Sequence, residues 1–422
     1  MAPTLVGPHR DVVCADCGYP FACDSEVRPA ARRAICPNCG YANDHLTEHP
    51  DIAGDRLLVS RAVFAIRSPR RWEVVAFRHP EHPTKIAVKR VVGLPGEMVE
   101  IRHGDLYVNG KIQRKPLAQQ RAMAVLVYDA NDTPRRTPSL PPRWQGDRAD
   151  SRWDSADGRF VRPASPDQKS VDWLSYRHWC RLPGSPGQAY PCPITNQLGY
   201  NQGLPQPSGT ICPVTDLLLS FRWITATGQG ALHLKLGDGP EAFEVHLEPN
   251  QRRYEVSRRN RRLLAGACLP LGIPASGVLV EVSLIDRQFV LALDGAPIAS
   301  VPLEENGEPL QPSSRPVALG GQTLGVEIRD LRLLQDAYYT RPRGVDARWG
   351  VDRPVRLLSG EYFVLGDNST ISLDSRTWPD GPAVPSDLLV GKPFLVFFPP
   401  QRVDWGGWHF LVPDLCRIRY IR

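Results

Sequence analysis

A chain of 422 residues with 42% hydrophobic and 8% aromatic side chains is long enough for two or three domains with packed cores. Its 42 Pro and 35 Gly disfavour a helix-rich architecture, and no stretch approaches the ~18–20 apolar residues of a membrane-spanning helix. The formal charge of +6 is mild, and basic residues occur in short pairs such as Arg70-Arg71 rather than in a stripe, which argues against a nucleic-acid partner.

Residues 1–10 open with Met1-Ala2-Pro3-Thr4-Leu5. Residues 11–48 then carry two near-copies, Cys14-Ala15-Asp16-Cys17-Gly18-Tyr19 and Cys36-Pro37-Asn38-Cys39-Gly40-Tyr41. Each Cys-x-x-Cys-Gly turn aims two thiolates at one point, and two such turns make a closed tetrahedral site. A structural zinc ribbon held by Cys14, Cys17, Cys36 and Cys39 is expected, with paired disulfides or empty thiols as the alternatives. Cys23 is the spare. Cys180, Cys192, Cys212, Cys268 and Cys416 lack metal spacing and read as buried free thiols, although Cys180 and Cys192 could pair in an oxidising compartment.

Residues 49–115 read as short strands: Gly54 to Val59, Val74 to Pro80, the apolar run Ile86-Ala87-Val88 before Lys89, then Met98 to Arg102 and Leu106 to Lys111. Residues 116–165 are rich in Pro, Arg and Asp and read as an extended linker, clearest at Thr137 to Pro142. From 166 to 345, apolar residues alternate with period two: Leu232, Leu234, Leu236; Phe243, Val245, Leu247; and Val280, Val282, Leu284 facing Phe289, Leu291, Leu293 across Asp286-Arg287. Many short strands with Gly and Asp turns predict an antiparallel β-sandwich. The stretch Val278 to Tyr339, with Leu-Asp-Gly-Ala-Pro and Leu-Arg-Leu-Leu, resembles the concanavalin-like (laminin-G-type) jelly roll. Residues 346–422 return to strands at Gly360 to Leu365 and Gly391 to Pro400, on either side of Gly366-Asp367-Asn368-Ser369-Thr370-Ile371-Ser372-Leu373-Asp374-Ser375-Arg376.

That last string resembles the final signature block of bacterial type I signal peptidases, membrane serine proteases that remove signal peptides. Ile86-Ala87-Val88-Lys89-Arg90-Val91-Val92-Gly93-Leu94-Pro95-Gly96-Glu97 resembles the family's lysine block. Met1-Ala2-Pro3-Thr4-Leu5 looks like its nucleophile block, Ser-Met-x-Pro-Thr-Leu, without the serine. Gly54-Asp55-Arg56-Leu57-Leu58-Val59 matches the strand that follows that block, while Trp72-Glu73 stands where the family usually has Gly-Asp. The resemblance implies a mainly β protein: a coiled antiparallel core split by the ribbon and the sandwich.

It also implies a chemistry. Carried over by position, a serine just before Met1 is the nucleophile, and it is missing from this chain. Lys89 takes its proton, which requires a neutral amine against an unperturbed pKa near 10.4; a depression of ~3 units corresponds to about 4 kcal/mol, within reach of burial. Ser372 orients Lys89. Asp374 and Arg376 form a supporting ion pair, and Asp367 and Asn368 shape the turn beneath. Met1, Leu5, Ala87 and Val88 line shallow pockets for small side chains, and the substrate adds as a strand beside Ile86 to Val88. The expected partners are preprotein signal peptides and a membrane, through an upstream anchor. The catalytic domain would then face the outer, periplasmic side; a chain truly starting at Met1 would be soluble. The alternative is an inactive relative whose ribbon and sandwich bind a protein or a glycan.

Overall fold

The structure, a computed structural model, describes the chain except for residues 2, 27–31, 169, 183, 202–210, 268–272, 305–309, 343–347, 406–407 and 422. It is mainly β, as expected. The core sheet is antiparallel and runs Val384–Pro385, Glu361–Leu365, His82–Gly93, Val74–His79, Leu389–Phe398 and Arg419–Tyr420, with Arg56–Ser60 also paired to Leu389–Phe398. A smaller sheet of Lys111–Ile112, Asp105–Val108, Met98–Arg102 and Val355–Arg356 lies beside it. Val92, Val99, Leu106, Val355, Phe363 and Leu365 form the common core between the two. Sequence-distant strands are therefore neighbours, and the lysine block and the Gly-Asp-Asn block meet on one sheet.

Residues inserted within this core form a two-sheet sandwich of eight and seven strands. The alternation read from the sequence is its register: Val280, Val282 and Leu284 pair with Leu293, Leu291 and Phe289. Trp223, Phe221, Phe243 and Phe289 from the two sheets are fully buried in one cluster with Leu234 and Leu319. Each such fully buried large apolar side chain contributes ~1.5–3 kcal/mol, and this is the largest apolar cluster among the described residues.

Residues 116–165 are not a linker. They contain the helix Leu117–Met123 and the strands Val125–Asp129, Trp144–Gly146, Asp154–Ala156 and Arg159–Arg162. Val125–Asp129 and Arg159–Arg162 pair with Gly325–Gln335, and Trp144–Gly146 pairs with Asp172–Tyr176. The prolines that dominated the composition sit between these strands, in the 133–142 loop. Averaging over the whole stretch concealed short strands that gain stability only by joining distant partners.

One buried polar cluster that fastens insert to core is centred on Lys115. Lys115 donates to Asp286 (2.5 Å) and Asp336 (2.9 Å) of the insert, with its amine 4.8 Å from the ring centroid of Trp72. Trp72 itself has φ 69° and is buried, so the residue standing in place of the family's glycine is held left-handed by its packing. The ribbon docks on the sandwich: Asp16 accepts from the backbone of Arg135 and Arg136 and pairs with Arg181, while Asn38 donates to the carbonyls of Asp129 and Asp132.

Candidate active site

Lys89 is delivered by His82–Gly93. That strand is paired to Val74–His79 along its length, but to Glu361–Leu365 only from Arg90 to Gly93. Its other edge is thus unpaired at Ile86 to Val88 within the core sheet. Glu361–Leu365 runs straight into the Gly366–Arg376 loop, which doubles back because the Ser372 and Ile371 N–H groups both donate to the Asn368 carbonyl (3.0 and 3.3 Å). The Lys89 Nζ consequently donates to Ser372 Oγ at 2.7 Å. Gly366 leaves room for this contact: a Cβ there would lie 2.1 Å from Ser372 Oγ and 3.2 Å from Lys89 Nζ.

Two fully buried ion pairs frame the amine. Arg376 binds Asp374 in a fork (Nε–Oδ1 2.9 Å, Nη2–Oδ2 2.8 Å), and both side chains are 0% exposed. Arg376 also reaches Ser369 Oγ and the Thr340 carbonyl, and Asp374 accepts from the Gly366 N–H at 3.0 Å. Arg90 binds Asp367 with two contacts of 2.9 Å, and Thr4 Oγ1 donates to Asp367 Oδ2 at 2.5 Å. Burial alone would raise both carboxyls; Arg90 and Arg376 outweigh it and hold Asp367 and Asp374 below their usual value. Each pair nearly cancels its own charge. Burial is then the largest influence on Lys89 and lowers its pKa; Arg376 adds to that effect, and Asp374 and Asp367 oppose it.

The candidate pocket residues divide by sheet face. Met1 and Val88 pack with Leu5, Val74, Val396 and Ile421, whereas Ala87 packs with Val75 and Phe77 on the opposite face. Ile86 is 65% exposed. Met1 is half-buried in the cluster with Leu5 and Val88, and Thr4 of the same segment reaches Asp367. The leading segment therefore reaches the Arg90–Asp367 pair of the site. Ala2 falls outside the described residues.

Cys14, Cys17, Cys36 and Cys39 converge, with all four sulfurs within 4.8 Å of one another and separations of 3.6 Å (Cys14–Cys39) and 3.7 Å (Cys17–Cys36). Tetrahedral zinc with ~2.3 Å sulfur bonds has sulfurs about 3.8 Å apart, so the cluster is sized for a metal ion. Gly18 (φ 84°) and Gly40 (φ 69°) close the two turns with N–H donors to the Cys14 and Cys36 carbonyls. Cys180 and Cys192 are disulfide-bonded. Cys23 is buried, Cys212 is half-buried, and Cys416 is exposed, so the expectation of buried thiols fails for Cys416, which follows a short C-terminal hairpin. Cys268 lies outside the described residues.

A model of the family "Signal peptidase, peptidase S26" matches residues 46–171 and 308–398, just over half of the chain. The chain belongs to this family. Signal peptidase I V of Bacillus subtilis is 40% identical over 63 residues, covering 15% of this chain and 36% of that protein. Probable signal peptidase I-2 of Synechocystis is 30% identical over 131 residues, covering 30% of this chain and 55% of that protein. The chain thus spans about a third to a half of these relatives' length. Among solved structures, a Thermotoga petrophila laminarinase catalytic domain aligns with 50% of this chain and 98% of its own at 11% identity, with a TM-score of 0.31.

Sequence reasoning passed over three residues of this candidate site. Arg90 stood next to Lys89 in the quoted block, and a buried partner for Asp367 was the signal that could have found it. Thr4 lay in the leading block. Asn201 gave no signal: it sits in a stretch rich in Gly, Pro and Asn, 167 positions from the side chain it binds.

Proposed function

We propose that this chain is the catalytic portion of a signal-peptidase-like endopeptidase that cleaves signal peptides from exported preproteins with a Ser/Lys pair. The carrying observation is the desolvated Lys89 amine, fixed at 2.7 Å from Ser372 Oγ, with Thr4 of the leading segment bound to Asp367. A serine preceding Met1 would be the nucleophile. Neutral Lys89 would take the hydroxyl proton as the serine oxygen attacks the scissile carbonyl, and would return it to the leaving amine. An acyl-enzyme ester would remain, and water deprotonated by the same lysine would hydrolyse it. Ser372, accepting from the amine, would aim it through both steps.

Substrate would add as an extended strand along the unpaired edge of Ile86 to Val88. Met1, Leu5 and Val88 support an apolar pocket for small side chains. No helix among the described residues is long and apolar enough to cross a membrane. The exposed Trp408, Phe410, Leu411 and Leu415 at the C-terminal hairpin favour action at a membrane surface. The four-cysteine cluster would hold zinc in a structural role, because its four donors leave no open position.

The test is cleavage of a preprotein by the chain carrying serine directly before Met1, compared with the same protein bearing Lys89→Ala. Abolished cleavage in the variant is the expected result. Full cleavage by the variant excludes Lys89 as base, and no cleavage by either protein favours a partner-binding relative.

A further inference from the structure

The insert reaches the catalytic loop directly. Its Gly199–Asn201 turn ends in Asn201, which exchanges two side-chain hydrogen bonds with Asn368 (Asn201 Nδ2 to Asn368 Oδ1 2.9 Å; Asn368 Nδ2 to Asn201 Oδ1 2.5 Å) and donates to Thr370 Oγ1 at 2.8 Å. Both asparagines are nearly sealed from solvent, at 5% and 3% exposure. A buried reciprocal amide pair of this kind is strongly orienting, since a shift of either partner strands donors and acceptors away from water.

The far end of the turn is fixed as well. Tyr200 donates to the Pro8 carbonyl at 3.2 Å, on the segment that leads back to Met1. Gly199 lies against Pro37 of the second cysteine turn, so closely that a Cβ would come within 3.1 Å of its ring, and the Cys23 thiol contacts the Gly199 carbonyl. Ribbon, N-terminal segment and catalytic loop therefore converge on three consecutive residues of the insert. Asn368 in turn holds Ser372 through its carbonyl, and Ser372 holds Lys89.

We propose that Asn201 is a positioning residue for the Lys89–Ser372 pair, which makes the insert a working part of the peptidase. The inference rests on the peptidase reading above. It assigns the insert a role that ligand binding by the sandwich would not require.

The experiment is a double-mutant cycle in the serine-bearing protein, with Asn201→Ala, Asn368→Ala and the double variant, reading kcat, KM, the pH midpoint of kcat and Tm. Each single variant should lower kcat about 10- to 100-fold with KM little changed, as misplacement of a reacting group by ~1 Å does. The double variant should fall no further than the worse single one, and Asn201→Ala should move the pH midpoint that Lys89 sets. Asn196→Ala is the control: Asn196 lies in the same segment but exchanges hydrogen bonds with Cys212, and its variant should keep kcat. Unchanged kcat and pH midpoint in Asn201→Ala, with only Tm lowered, overturns the inference and leaves the peptidase reading standing. Independent, additive losses in the cycle also overturn it. Full activity of Lys89→Ala would remove the peptidase reading itself, and this inference with it.

Discussion

Gly366→Ala isolates the geometry of the proposed base more cleanly than removal of either partner. Gly366 does not need a left-handed backbone, so only space is at issue. The added methyl would sit 2.1 Å from Ser372 Oγ and 2.7 Å from its Cβ, where real Cβ contacts essentially never fall below 3.0 Å. Ser372 must therefore retreat by about 1 Å, at an overpacking cost of ~1–3 kcal/mol. That retreat breaks the 2.7 Å contact with Lys89 and leaves the amine unaimed. Preprotein cleavage by the serine-bearing protein should drop about 100-fold in kcat, a loss typical of ~1 Å misplacement, while circular dichroism shows a folded β protein. Adding Ser372→Gly should recover Tm, because the crowded atoms are gone, without recovering kcat. Undiminished kcat in Gly366→Ala would refute the role of Ser372.

Cleavage should require neutral Lys89, so the rate should rise with pH and reach its plateau below the ordinary lysine value of 10.5, a limb that a pH–rate profile would show. Lys115→Met removes the amine that binds Asp286 and Asp336, which should cost ~3–5 kcal/mol in denaturant unfolding. Burial raises Asp336 and Asp105 to about 7, with neighbouring carboxylates adding to it and Lys115 opposing it, so the loss should be largest above that pH and shrink in acid as the carboxyls take up protons. Acid should also weaken the wild-type site: Asp367 and Asp374 titrate below their unfolded value, so their stabilisation is present above about 3.8 and is lost as pH falls through the lower folded values, readable as Tm against pH. A strong chelator should release about one zinc per chain and lower Tm, with a fall in kcat following through the Pro37–Gly199 contact; retained metal-free stability would contradict a structural ion.

The Lys89–Ser372 contact and the cysteine cluster were legible because their residues lie in contiguous strings. Lys89 and Ser372 fall in two such blocks, and the cysteine turns each repeat over six residues with their own glycine. The sandwich was legible because a half-buried strand imposes period two locally, as at Leu232, Leu234 and Leu236. What escaped depends on long-range pairing. Arg90 and Asp367 are 277 positions apart, and Asn201 and Asn368 are 167 apart, so no local pattern marks them as partners. The strands within 116–165 are three to five residues long, too short to show a period before their partners are known. The split of Ala87 from Val88 follows from strand alternation, and it required the faces of the sheet to be assigned first.

The most direct measurement is the N-terminal sequence and intact mass of the native protein isolated from its own cells. A serine immediately before the methionine numbered 1, in a chain heavier than these 422 residues, is the predicted result. A native chain beginning at that methionine, or carrying a different residue before it, would contradict Ser/Lys hydrolysis by this protein.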